Sequence, residues 1–312
     1  MWVAALTALG RRARWILALG AVAALFLPGL SGALRPALPF LVALVLGLSM
    51  ARIDLGATLR GAVRPRRLGL LLAVSALLIP ATALVYGTLG RLFGPEIAAS
   101  LVYLAAAPPI ASAAGLCFML GYNARLALEV TVAATLLTPI LGPLATGLAL
   151  PTSPLAVDPL RLGLRLAAMI AGGIAVGLIL RRGIGADRIA RHAPIFDGFA
   201  ALGMLVFILP LFDRVGALIL DAPWRAVWIL AIAALFNLGA NLATRTALGS
   251  LPATDRGAAG VVMGNRNVAM YLAALPFEPT FALFVALYQF PMYFTPLIFG
   301  ARTPRDAGRA GA

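Results

Sequence analysis

The chain has 312 residues, is 62% hydrophobic and only 12% charged, and has a mean hydropathy of +0.98. A soluble domain is about 45–50% apolar and about 25% charged, so this composition excludes an ordinary soluble fold and points to an all-α polytopic membrane protein. The formal net charge is +14 and every basic residue is arginine. Those arginines punctuate the gaps between apolar runs, which leaves no basic domain for nucleic acid. One cysteine, Cys117, and one histidine, His192, exclude an internal disulfide and leave almost nothing for a Cys/His metal centre.

About ten runs are long enough to be read as spans, at roughly 15–33, 37–53, 68–90, 97–121, 124–150, 161–180, 194–212, 224–244, 257–275 and 279–300. The second is short and reads as tilted or partly interfacial. Arg11, Arg12 and Arg14 before "WILALGAVAALFL" resemble a signal peptide. The run extends past signal-peptide length, so a retained first helix is expected. With a cytoplasmic N-terminus, about 18 arginines fall on the cytoplasmic side and about 6 (Arg35, Arg91, Arg161, Arg165, Arg214, Arg225) on the other. Arg266 remains inside a span. The positive-inside rule therefore predicts a multi-pass protein of the cell (inner) membrane with both termini cytoplasmic.

There is no long hydrophilic insertion, so the chain reads as a single membrane unit. The pattern divides at "PTSPLAVDP" into about 10–152 and about 156–302, each with about five spans. Five is odd, so two similar halves would be inverted repeats, a recurrent plan in secondary transporters.

The fourth span contains "AAAPPIASAAGL", where Pro108 and Pro109 remove two backbone donors; Ser112 follows. The ninth contains Gly264-Asn265-Arg266-Asn267. Interrupted helices at corresponding places in two halves point to a transport site. A simple kink at the prolines, or a loop outside the membrane at 264–267, are the plainer explanations. An arginine at mid-membrane costs at least ~2.5–3.5 kcal/mol on insertion scales and needs a partner or water. Glu129 is the candidate carboxylate, pairing either with Arg266 or with Arg125 one turn away. Asn237 and Asn241 share a face of the eighth span; interhelical amide bonds are their ordinary role and lining a cavity the functional one. Gln289 carries the same two readings. Ser75 has back-bonding to its own helix as its plain reading. Tyr103, Trp224 and Trp228 read as interfacial belt residues. No phosphate loop, nucleophile elbow or catalytic carboxylate pair is present, so no enzyme is expected.

The segments "RPRRLGLLLAVSALLIP", "APPIASAAGLCFMLGYNARLALEVTVAATLLTP" and "GNRNVAMYLAAL" resemble the bile acid:sodium symporter family. The resemblance implies a panel domain of spans 1, 2, 6 and 7. It also implies a core domain of spans 3–5 and 8–10 with unwound, crossing spans 4 and 9. It implies sodium-driven uptake of an organic anion. The family's sodium ligands are largely replaced here. Its span-three glutamine falls on Ser75, and its serine–asparagine pair near Ala114-Gly115 or Gly115-Leu116. The span-five serine and threonine fall on Glu129 and Ala133, the shared span-nine carboxylate on Val262, and the following glutamine on Arg266. Asn267 matches. The reading is therefore a secondary transporter of a small organic anion with altered or absent sodium coupling. Arg266, Asn265, Asn267, Glu129, Ser112, Ser75, Pro109, Asn237, Asn241 and Gln289 form its substrate or ion site. No cofactor is expected; sodium and proton coupling stay open, with protonation placed at Glu129. Partners are the lipid bilayer and the substrate, with oligomeric state undetermined. An efflux carrier of related architecture (auxin-efflux-like or arsenite-efflux-like) or a non-transporting sensor or scaffold are the alternatives.

Overall fold

A computed structural model describes residues 6, 7, 9, 13–51, 65–150 and 157–299. The basic segment 52–64, the 151–156 junction between the expected repeats and the arginines at 302, 305 and 309 lie outside the described residues, as do Arg11 and Arg12 of the expected leader-like start. Among the described residues the fold is all-helical, and six helices are long and apolar enough to cross a membrane.

In chain order the helices are α1 (Ala13–Ala24), α2 (Pro28–Leu34), α3 (Leu38–Ala51), α4 (Pro65–Gly90), α5 (Pro95–Ala106), α6 (Ala113–Met119), α7 (Ala124–Ala149) and α8 (Pro159–Ile184). They continue with α9 (Ala186–Arg191), α10 (Ala193–Leu211), α11 (Val215–Asp221), α12 (Pro223–Ala247), α13 (Ala253–Gly264), α14 (Ala269–Ala274) and α15 (Pro279–Phe299). Proline opens α2, α5, α8 and α12. The first turn has no intrahelical acceptor for that missing N–H, so the position costs nothing.

Polarity is turned inside out relative to a soluble protein. Leu77, Ile140, Leu160, Ile179, Leu220 and Trp224 point outward, while Asn237, Asn241, Asn265, Thr138 and Thr295 are buried. Lipid makes the first set cheap to expose and forces the second to find partners inside.

The helices pack in two groups. In one, α3 lies along α8 and α10, and α10 along α1 and α2. In the other, α4 packs on α5 and α7, α12 on α13 and α15, α13 on α6 and α7, and α15 on α5. The groups meet where α7 touches α8, where α14 touches α3 and α8, and where α15 touches α1 and α10. Close approach of α3 and α8 depends on glycine. A Cβ at Gly47 would lie 2.9 Å from the Gly173 carbonyl, and one at Gly177 2.8 Å from Met50 Cβ. Gly173 and Gly177, four apart on α8, form the small-residue stripe that lets membrane helices meet backbone to backbone.

Two expectations are corrected here. The first connection falls at residues 25–27, before Pro28, and not at Arg35-Pro36. Residues Pro28–Ala51 form one 24-residue apolar run, so the second span is not short. Pro36 is absorbed in a 3-10 turn, Arg35–Ala37, where its missing N–H disturbs little. Tyr103 is not a belt residue; it is buried, with its ring 5.2 Å from Tyr271 and 5.3 Å from Phe281. Trp224 and Trp228 are exposed, as interfacial anchors would be.

Replacing Gly177 with valine should cost about 1–3 kcal/mol through overpacking against Met50 and Gly47. A lower melting temperature of the purified protein, compared with Gly183→Val, where a Cβ meets nothing within 4 Å, checks this.

Candidate functional site

The proline pair ends α5 at Ala106, and the chain turns back into helix at Ala113. The Gly-Asn-Arg-Asn run ends α13 at Gly264, and helix resumes at Ala269. The two breaks lie against each other as a single antiparallel bridge between Pro109 and Arg266. Ile110 N–H donates to Asn265 O at 3.0 Å, and Asn267 N–H donates to Pro108 O at 2.7 Å. These bonds flank the bridge, so Pro109 and Arg266 form its non-hydrogen-bonded pair. A proline fits there because the ladder asks no donor of it.

Stopping a helix inside an apolar medium leaves carbonyls that must find donors. All four terminal carbonyls of α5 have one. Ala107 N–H serves Tyr103 and Leu104, Arg266 Nη2 donates to Ala105 O at 2.7 Å, and Tyr271 Oη donates to Ala106 O at 3.3 Å. At the end of α13, Gly264 O accepts from Asn237 Nδ2 at 2.6 Å and from Tyr288 Oη. Tyr288 Oη accepts in turn from Arg266 N–H at 3.1 Å and from Asn237 Nδ2 at 3.2 Å. The phenol thus uses its one proton and both lone pairs. Asn265 Nδ2 bonds Val261 O at 3.0 Å, and its Oδ1 lies 3.1 Å from Thr295 Oγ1. Gly264 is required by space: a Cβ there would come within 2.7 Å of Asn237 O.

Arg266 is 6% exposed. Its nearest titratable neighbours are the phenols of Tyr86, Tyr288 and Tyr271. One charge-assisted bond, worth about 1.5–3 kcal/mol, is of the same size as the ~2.5–3.5 kcal/mol insertion cost, so the Ala105 carbonyl largely offsets it. Glu129 is not its partner. The Glu129 carboxylate, 2% exposed, accepts from Arg125 Nε at 2.9 Å along its own helix.

Six of the expected residues are therefore drawn to the crossing or its supports: Pro109, Asn265, Arg266, Asn267, Asn237 and Asn241. Asn241 holds Arg245 Nε at 2.6 Å, and Arg245 reaches Tyr122 Oη at 2.9 Å between the rings of Tyr122 and Phe299. Ser112 is exposed at the start of α6, and no side-chain bond ties it to the crossing. Gln289 is buried but donates to Val285 O on its own helix. Ser75 is buried in α4. Tyr288, Thr295 and Tyr271 escaped notice because hydropathy scores a tyrosine or threonine as nearly neutral. Tyr288 and Thr295 are seven apart, two helical turns on one face, and that spacing beside Gln289 was the available signal.

Behind the crossing, α6, α7 and α13 enclose an apolar cluster of Ala113, Leu116, Cys117, Ala127, Val261 and Val262. Val262 is a position where the family resemblance would place sodium-ligand chemistry, and Leu116 is one under the second of the two alignments it allows. Among the described residues no group of three or more His, Cys, Asp or Glu could hold a metal ion. No family model matches the chain, and no curated protein matches it.

Tyr288→Phe would leave the Arg266 N–H without its acceptor, a loss of about 1–3 kcal/mol. A melting temperature reduced by more than in Gln289→Leu, whose bond is local, is the expected result.

Proposed function

We propose that the protein is a secondary active transporter of a small organic anion, similar in plan to bile acid:sodium symporters, with Arg266 acting as a built-in cation at the crossing. The observation that carries this reading is the antiparallel contact of two broken helices around one buried arginine. Transporters of this kind use the C-terminal ends of half-helices and unwound carbonyls to coordinate their coupling cation. Here the corresponding carbonyls of Ala105, Ala106 and Gly264 are taken by side-chain donors of the chain itself. A sodium ion needs several oxygen ligands in one place, and the apolar cluster of Val262, Leu116 and Ala113 offers none from its side chains.

The anion preference follows from charge. Among the described residues, Ala105 O is the one hydrogen-bond acceptor of the Arg266 guanidinium and no carboxylate pairs with it. A buried cation in a low dielectric attracts a small anion and repels cations. The two helix groups would move relative to one another around the crossing, with the ten-span, inverted-repeat organisation as the frame.

The direct test is reconstitution into proteoliposomes on a solid-supported membrane, with concentration jumps of acetate, pyruvate, benzoate and methanesulfonate. Saturable currents or uptake that persist when choline replaces sodium, and that fall at least about tenfold in Arg266→Gln, are expected. Saturable uptake that stops in choline would overturn the sodium-independent part. Absence of flux for any organic anion would favour a non-transporting role.

A further inference from the structure

Four of the six arginines that the sequence places on the less basic side converge on the corner between α14 and α15. Arg35 Nη2 donates to Leu272 O at 3.2 Å, and Arg165 Nη1 donates to Ala274 O at 2.6 Å. The guanidinium carbons of Arg35 and Arg214 lie 5.6 and 5.1 Å from the centre of the Phe277 ring. Arg225 Nη2 donates to Thr280 Oγ1 at 2.7 Å. Two of these arginines cross between the helix groups. Arg35 lies in the Pro28–Ala51 run and Arg165 on α8, both in the first group, whereas Arg214 caps α11, which packs on α12 and α15 of the second. Leu272, Ala274 and Phe277 belong to α14 and the corner after it. The side-chain bonds at the crossing, by contrast, all stay within the second group.

The chemistry suits a clasp that opens. Leu272 and Ala274 present the last carbonyls of α14, the negative end of a half-helix, which a guanidinium binds well. Charge is only partly balanced. Glu278 spends its carboxylate on the N–H groups of Thr280 and Phe281, and Asp213 is the other acid close to Arg35. Farther along the seam of α3, α8 and α7, Leu46, Met50, Ile174 and Thr135 line a small apolar gap.

We propose that Arg35 and Arg165 are the gate residues of the transport cycle, locking the two helix groups together at the Phe277 end. For that end to open, they release the α14 carbonyls and the Phe277 ring. This rests on the transporter reading above, and it assigns to these side chains the closed state of one gate. The same two guanidiniums, once released, face the path of an incoming anion.

Leu38, one turn after Arg35, is 1% exposed, so a cysteine there is a probe of opening at this end. In a Cys117→Ala background, Leu38→Cys in proteoliposomes should react slowly with a membrane-impermeant methanethiosulfonate. Arg35→Gln with Arg165→Gln should raise that rate by at least about tenfold, because the bonded population falls. Lysine at both positions should hold the rate near the parent's, since charge and a donor remain. Phe277→Leu, with every arginine in place, should accelerate labelling by a smaller factor. Parent-like labelling in a monodisperse double glutamine variant overturns the gate. Where that variant does not fold, Phe277→Leu decides: acceleration supports the gate and an unchanged rate overturns it. Labelling needs no substrate, so the two readings fail separately. Accelerated labelling without anion flux overturns the transporter, and flux with unchanged labelling overturns only the gate.

Discussion

A helix that stops inside an apolar medium must give every freed carbonyl a donor, and the rest of this molecule is arranged around that demand. The two breaks solve it together. Each supplies bridge bonds to the other, and Pro109 occupies the bridge position that needs no N–H. What the bridge leaves over is met by Arg266, Tyr271, Tyr288 and Asn237. Glycine at 264 follows, because α12 must come close enough for Asn237 to reach. Burial of polar side chains in this half of the protein is thus a consequence of broken helices.

Using a guanidinium for one of those donors fixes a positive charge where a transporter of this plan would bind and release a cation. A tethered cation does not leave, so it can brace the crossing without carrying energy from an ion gradient. The apolar cluster of α6, α7 and α13 fits the same picture, since a dry seam needs no ion to hold it. Glu129, bonded to a largely exposed Arg125, lies outside the bonded set at the crossing.

Much of the site was legible because its signals violate the surrounding pattern. A proline pair and a Gly-Asn-Arg-Asn run stand out against lipid-compatible sequence, and structure brings both together. Asn237 and Asn241 were legible for the same reason. Which carbonyl Arg266 bonds was not, because a backbone carbonyl has no identity in sequence; of the two partners the sequence leaves open for Glu129, the structure takes Arg125. Tyr288 and Tyr271 were missed because a phenol's ring hides its hydroxyl in any hydropathy scale. Ser112 stands beside the prolines in sequence, yet the turn at Ala111 and Ser112 leaves it exposed. The Arg35-Pro36 dipeptide read as a loop, yet a 3-10 turn keeps the run helical from Pro28 to Ala51.

The most direct test of Arg266 as a resident cation is the melting temperature of the purified protein in sodium chloride against choline chloride at matched ionic strength. A ligand that binds only the native state stabilises by about 2.7 kcal/mol at a hundredfold excess over Kd. The account predicts the same melting temperature in both salts. A sodium-specific rise in the unmodified protein would contradict it.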